Sequence, residues 1–276
     1  QIDCYVCGTA VGAVWAEENG YTVIKCPGCG LLYVNPRPDD QEIAEAARTG
    51  LHKGAKECNH TGTYNAPSVA RFREILRVLY RDQGVPCRPG SNWLDVGCGH
   101  GEFMEAVISL SPGATSVEGV EPNEAKVSSA RSRGLAVGWR EWDDAEERYD
   151  TISFLNVYSH LPYPRQFLAR VRRSLRAGGE VLLETGDTQH LLRRHFPDTL
   201  SLPDHLSYVS EPILIRLLRE EGFRDVRVFR FHHPSFPRRT PIQNVQLRLR
   251  ERLGFPSKSA THSLRDLWVR ATREPF

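Results

Sequence analysis

The sequence predicts an α/β protein, a parallel sheet covered by helices, with a small cysteine-clipped β module at the N-terminal end. Three observations carry that expectation. From Ser91 onward, short β-like runs alternate with helix-like ones. The glycine-rich turn LDVGCGHGE, residues 94–102, follows an apolar run and opens a helical one. Two CxxC pairs, Cys4/Cys7 and Cys26/Cys29, fall within the first 30 residues.

Residues 1–38 hold the runs YTVIK and LLYVN and close on NPRP, whose prolines resist a continuing helix. Eighteen residues separate Cys7 from Cys26, close to the CxxC(15–20)CxxC template of a tetrahedral zinc site. Four thiolates leave no open coordination position, so such a metal is a clip and activates neither water nor substrate. About 35 residues cannot bury a core of their own, and zinc would supply a folding free energy on the order of 10 kcal/mol or more. A redox role for either CxxC is the competing reading, and the recurrence of both pairs at ribbon spacing favours metal.

Residues 39–90 read as a helical connector or lid, in which Val69, Phe72, Ile75, Leu76 and Leu79 share one helix face. Cys58 and His60 form a lone pair of ligand types in a polar stretch and read as loop.

In the large domain, residues 91–276, an apolar strand ends in Asp95, and Gly97, Gly99 and Gly101 form the turn into a helix that begins near Glu102. Glycines serve where the backbone takes positive φ and where a ligand lies against bare main chain. The alternate GxGxG spacing departs from the GxGxxG of dinucleotide folds. Glu121 ends the next strand, where a carboxylate can accept both hydroxyls of a ribose. Together they describe a nucleoside-binding crevice at the carboxyl ends of the strands. Near the C-terminus FRDVRVFRF and DLWVRATR alternate apolar and polar residues, as an antiparallel hairpin does. Between them lies an insertion, 232–262, with Pro-rich ends and a basic centre. It is expected to cover the pocket, meet an anionic substrate or form an oligomer contact such as that of a homodimer.

The chain has 276 residues, 40% of them apolar, enough for one full core and an appendage. A net charge of +2 does not demand nucleic acid as a partner. No run of 18 apolar residues and no leader pattern occur, so a soluble, cytoplasmic protein without a membrane partner is expected. The cysteines number seven, an odd count, and the four in paired CxxC motifs point to metal rather than disulfides in that compartment.

Over roughly residues 91–231 the sequence resembles the class I S-adenosylmethionine-dependent methyltransferases. LDVGCGHGE matches the glycine-rich motif, VEPN the acidic loop, YDTISFLNVYSHL the fourth strand with its exit loop, and LRAGGEVLLET the turn into the fifth strand. The CxxC pairs before NPRP and the late PDHLSYVS resemble a zinc-ribbon-bearing subgroup that includes enzymes methylating sugars and other small biosynthetic intermediates. The resemblance implies a Rossmann-like seven-stranded sheet with helices on both faces, S-adenosyl-L-methionine as methyl donor and a structural Zn2+. It sets Asp95, Gly97, Cys98, Gly99 and Gly101 beside the methionine and ribose of that donor, with Cys98 a small filler. Glu121 falls on the ribose hydroxyls, Asn123 and Trp142 near the adenine, and Asn156 joins the cofactor set from the exit loop. The expected acceptor is a small molecule. His205 is the candidate base or substrate anchor, preceded by Asp204 where the subgroup has Glu. His160 is the second candidate, with Ser159 in place of the family's Glu, and Tyr158 and Tyr208 are secondary. Two rival readings remain: an RNA methyltransferase whose ribbon holds nucleic acid, and a non-catalytic cofactor-binding scaffold.

Overall fold

A computed structural model describes residues 1–10, 12–52, 62–111, 113, 115–139, 147–190, 193, 200–231 and 266–274. The insertion 232–262, Trp142, Cys58 and His60 lie outside the described residues.

The main sheet starts with β4 (Asn92–Val96), whose NWLDV run is buried on both faces, as a central parallel strand must be. β5 (Ser116–Glu121) and β6 (Ala136–Trp139) are laid outward on one side of it, and β7 (Tyr149–Leu155) and β8 (Leu175–Gly186) on the other, all parallel. β11 (Asp266–Arg273) runs antiparallel between β8 and β10 (Phe223–Phe231), giving the order β10-β11-β8-β7-β4-β5-β6. Seven strands and the C-terminal hairpin agree with the sequence expectation. The chain reverses its direction of growth between β4 and β7, and at such a switch point the carboxyl ends of the strands open into a ligand crevice.

Helices cover both faces. α5 (Pro164–Ser174) and α6 (Glu211–Glu220) press Leu168, Val171, Leu214 and Leu217 onto one face, where Leu94, Ile152 and Phe154 meet them. α2 (Ala66–Leu79), α3 (Glu102–Leu110) and α4 (Glu124–Arg131) cover the other face, burying Leu76, Phe103, Met104 and Ala130 against Trp93 and Trp268. On α2, Ile75, Leu76 and Leu79 are buried and Val69 and Phe72 partly so, which is the face that helical spacing predicts.

The N-terminal module is completed by a distant part of the chain. Its strands β1 (Ala13–Glu18), β2 (Tyr21–Lys25) and β3 (Leu32–Val34) take a fourth strand, β9 (Ser207–Tyr208), from the far end of the chain. Leu32 pairs with Tyr208 and Tyr33 with Ser207, and the Val34 N–H donates to the Leu206 carbonyl at 2.9 Å. Glu18 accepts the N–H groups of Leu200 at 2.6 Å and Leu202 at 3.0 Å, and Asn19 donates to the Leu202 carbonyl at 2.8 Å. Cys4, Val6, Leu31 and Tyr33 merge into the core that lies under α5 and α6. A boundary drawn at residue 38 therefore divides the sequence but not the packing. β3 is three residues long with all three buried, and it needs a partner on its outer edge to satisfy its backbone. α1 (Asp40–Thr49) follows, capped by Asp39, whose carboxylate accepts the Glu42 N–H at 2.8 Å.

Glu18→Ala is expected to lower the unfolding free energy by about 1–3 kcal/mol, because two backbone donors lose a charged acceptor. Glu17→Ala, at the exposed neighbouring position, should cost under about 0.5 kcal/mol. Denaturant melts that show equal effects from the two variants would mean that this carboxylate does not hold the 200–202 segment.

Candidate active site

Three consecutive carboxyl ends build the crevice. At the end of β4, Asp95 accepts the Ser153 hydroxyl at 2.6 Å, and that oxygen in turn accepts the Trp93 indole N–H at 2.8 Å. Burial pushes the Asp95 carboxyl up to about 7, with the Glu121 charge adding to it and the Ser153 bond opposing. At the end of β5, Glu121 accepts the Gly99 N–H at 2.9 Å on one oxygen and the Asn123 N–H at 3.0 Å on the other. It fastens the glycine turn to the start of α4, and each oxygen keeps a lone pair for a further donor.

The three glycines have different reasons. At Gly97 (φ 69°) a Cβ would stand 2.5 Å from Val157 Cγ2, and at Gly101 (φ 91°) 2.2 Å from Leu135 Cδ1, so packing forbids a side chain there. At Gly99 (φ 56°) a Cβ would meet nothing within 4 Å. Bare backbone beside open space, next to a buried carboxylate with free lone pairs, fits a nucleoside cofactor held at Gly99 and Glu121.

Of the expected cofactor residues, one has other work and one is the expected filler. Asn123 is 3% exposed and its side chain caps α4, accepting the Lys126 N–H at 3.2 Å, so it faces the helix rather than an adenine. Cys98 is buried against Gly119, where an added Cβ would lie 2.7 Å from its Sγ, and burial raises its thiol pKa, as befits a filler. The exposed aromatic among the described residues on this side is Trp139. It stands in register with Glu121 at the carboxyl end of β6 and donates to the Pro122 carbonyl at 3.1 Å. Its signal in the sequence is its place, a tryptophan closing the strand that follows the acidic one.

Beside the crevice lies a pocket of about 590 Å³, bounded by Leu155 and Asn156 after β7, Glu184 on β8, Phe72 on α2, Trp268 on β11 and His205. Asn156, at φ 55°, turns the chain out of β7 and lines this pocket. Glu184, Arg71 and Asp266 escaped the sequence analysis, since each sits in an ordinary strand or helix run and only the fold assembles them. Burial, with Asp266 adding, pushes the Glu184 carboxyl up to about 8, against Arg71 and the Asn156 backbone.

His205 lines this pocket, and His160 stands beside it, their ring centroids 4.9 Å apart and edge-on. His160 Nδ1 lies 3.1 Å from a carboxylate oxygen of Asp204 and 3.0 Å from its carbonyl. The same carboxylate oxygen lies 3.3 Å from His52 Nε2. With Ser159 before it in sequence, His160 thus finds its carboxylate in Asp204 from another loop. Tyr158 is fully buried and turns away, its hydroxyl 3.4 Å from that of Tyr5 in the N-terminal module, which takes it out of the candidate catalytic set. The Tyr208 ring lines the pocket, but its hydroxyl donates to the Leu200 carbonyl at 2.5 Å and is spent on the loop.

The four thiols of Cys4, Cys7, Cys26 and Cys29 lie within 4.8 Å of one another, with Cys4–Cys29 at 3.5 Å and Cys7–Cys26 at 3.4 Å. A tetrahedron with 2.3 Å metal–sulfur bonds has edges of about 3.8 Å, so the set fits a closed zinc site. Both CxxC turns fold alike, the Gly8 N–H donating to the Cys4 carbonyl at 2.8 Å and the Gly30 N–H to that of Cys26 at 2.9 Å.

Purified protein is expected to hold about one zinc per chain by elemental analysis. Cys26→Ser should remove it, lower the melting temperature and, through β9, weaken acceptor binding more than cofactor binding. A Cys26→Ser protein of normal stability would rule out the clip.

Residues 66–228, more than half of the chain, match a family model described as a methyltransferase domain. The sequence is 32% identical over 153 residues to the tRNA U34 carboxymethyltransferase of Pseudomonas fluorescens (strain SBW25), a match covering 50% of this chain and 47% of that protein. It is 33% identical over 120 residues to the ubiquinone biosynthesis O-methyltransferase of Pseudomonas paraeruginosa (strain DSM 24068 / PA7), covering 40% of this chain and 50% of the relative. The chain spans about half the length of the curated relatives it matches. Among solved structures, a SAM-dependent methyltransferase of Thermotoga maritima superposes with a TM-score of 0.52 at 20% identity, over 75% of this chain and 92% of that one. One of Archaeoglobus fulgidus does so with 0.51 at 20% identity, over 76% and 100%. These likenesses establish the fold. With the glycine turn and its two acids in place, the chain belongs to the class I S-adenosylmethionine-dependent methyltransferases, through a methyltransferase domain at residues 66–228.

Proposed function

We propose that the protein transfers the methyl group of S-adenosyl-L-methionine to a small biosynthetic molecule, a natural-product or sugar intermediate, with His205 taking the acceptor's proton. The observation that carries this reading is the pocket of about 590 Å³, which has Leu155 and Asn156 from the exit of β7, the strand next to β4, and His205 on its wall. A volume of that order suits a molecule of small-ligand size. The bound sulfonium supplies an electrophilic methyl group ready for in-line displacement.

The chain's own residues do the rest. Gly99 and Glu121 hold the nucleoside, and the apolar walls Leu155, Phe72 and Trp268 exclude water from the pocket. His205 offers an imidazole, a base suited to neutral pH. Asp204 steadies His160 behind it, and the N-terminal module fixes the loop that carries both Asp204 and His205. The four cysteines, closed on one another, contribute structure alone to this scheme.

A second reading, methylation of RNA, is favoured by the similarity to tRNA U34 carboxymethyltransferases. A net charge of +2 speaks against a dedicated nucleic-acid surface. Release of S-adenosylhomocysteine, measured with a panel of small hydroxyl and amine acceptors and in parallel with total tRNA, separates the two. Turnover confined to tRNA would displace the proposal.

Glu121→Ala is expected to lose about 10- to 1000-fold in affinity for S-adenosylhomocysteine by calorimetry, since charge-assisted bonds of this kind contribute roughly 1.5–3 kcal/mol each. Unchanged affinity would overturn the cofactor assignment. His205→Ala should bind that ligand normally yet turn over about 10²- to 10⁴-fold more slowly, and the wild-type rate should fall on the acid side, where an imidazole base is protonated. His205→Gln can hydrogen-bond but cannot take a proton. Near-normal turnover by the Gln variant would make His205 an orienting anchor instead of the base.

A further inference from the structure

We propose that the acceptor carries a protonated amine and that Glu184, with the aromatic rings of Phe72 and Trp268, forms the seat for it. This rests on the reading of the 590 Å³ pocket as the acceptor's, and it specifies what that acceptor must bring.

The sheet register places the parts. Across the β8–β11 ladder Glu184 is directly opposite Trp268, and Gly186 is opposite Asp266. Side chains that face one another across an antiparallel pair, and those two residues apart, share one side of the sheet. Glu184, Trp268 and Asp266 therefore stand together on the pocket side, where α2 adds Arg71 and Phe72. The Phe72 and Trp268 ring centroids are 6.4 Å apart, with their planes inclined at 60°.

The charges do not balance. Arg71 is engaged with Asp266 at 3.2 Å. Among the described residues no side chain hydrogen-bonds the Glu184 carboxylate. With both carboxyl groups ionised, one guanidinium serves two negative charges, and in that state the pocket lacks one cation. A cation completes the set, because it pairs with the carboxylate and is attracted to the faces of the aromatic rings.

Titration gives the inference a second handle. The groups that face Glu184 are Asp266 from β11, Arg71 from α2, His205 from the loop before β9 and the backbone N–H of Asn156 after β7. With its pKa pushed up to about 8, the carboxyl is mostly protonated at neutral pH in the free protein. An ammonium group favours the ionised form, so a proton leaves Glu184 as the amine binds. Amine affinity must then rise as pH climbs toward 8 and level off above it.

An ammonium group could come from the acceptor or from the methionine end of the cofactor. The experiment separates these sources by working on the full-length chain saturated with S-adenosylhomocysteine. Calorimetry with 2-phenylethylamine and 2-phenylethanol, matched in shape, compares a cation with a neutral hydroxyl. The amine is expected to bind about tenfold or more tightly than the alcohol. Its affinity should increase between about pH 6 and pH 8, with net proton release seen as a dependence of the heat on buffer ionisation. In Glu184→Gln the preference and the pH slope should vanish while affinity for S-adenosylhomocysteine stays the same. Equal binding of amine and alcohol by the wild-type protein would overturn the inference without recourse to any variant. So would an amine that binds only when S-adenosylhomocysteine is absent, since the seat would then be the cofactor's. Because the measurement reads binding, an amine preference in a protein that transfers no methyl group would sustain this inference while removing the proposed activity.

Discussion

The two-residue pairing of β3 with β9 is the contact on which the pocket's geometry depends. Ser207 and Tyr208 give the N-terminal sheet its outer strand, and in return the segment that carries Asp204 and His205 is fixed on both flanks. Glu18 and Asn19 hold it upstream at Leu200 and Leu202, and the Ser159 carbonyl accepts the Leu206 N–H at 2.7 Å. Tyr5, between the first two cysteines, reaches Ser207 through its hydroxyl at 3.1 Å. A histidine on a free loop would sample many orientations at an entropic cost, and here the backbone is already committed. The four-cysteine cluster thus bears on the pocket that His205 lines through main-chain pairing alone.

Along the carboxyl edge of the sheet, three acids from three strands sit in different surroundings. Glu121 is satisfied by two backbone N–H groups, which suits a residue that must present oxygen lone pairs to hydroxyl donors. Asp95 has one hydroxyl donor and a buried position, so its carboxyl rises to about 7. Glu184 has no side-chain donor among the described residues and rises to about 8. Asp95 and Glu184 both rise because burial outweighs the hydrogen bonds that favour their charged forms.

Much of this was legible in the sequence wherever the signal was local. GxGxG after an apolar strand, an acid closing the next strand and paired CxxC turns each occupy a few consecutive residues, and all fold as read. Residues whose role depends on a distant partner were not legible. β9 is two residues long, too short for any alternating pattern, and it exists because β3 has an open edge. Asp204 reads as the acid before a histidine, and only the fold shows it gripping His160 and His52 instead. Tyr158 adjoins His160 in sequence, but its own side chain is buried in the core beneath the N-terminal module. Asn123 was expected at an adenine because it follows the acidic strand, and the same position is also the natural cap of α4.

The same distinction explains how the two halves of the site are put together. The nucleoside crevice comes mostly from one stretch, residues 95 to 139, in which consecutive β–α units bring Asp95, Gly99, Glu121 and Trp139 to one edge, with Ser153 of β7 holding Asp95. The pocket draws on α2, β7, β8, the loop before β9 and β11, five segments spread from Arg71 to Trp268. A substitution in the crevice must respect tight local geometry, as the 2.5 Å and 2.2 Å approaches at Gly97 and Gly101 show. The pocket wall can change one segment at a time over an intact sheet. A shared fold therefore says little about what such a pocket takes, which has to be read from the charges and rings on its wall.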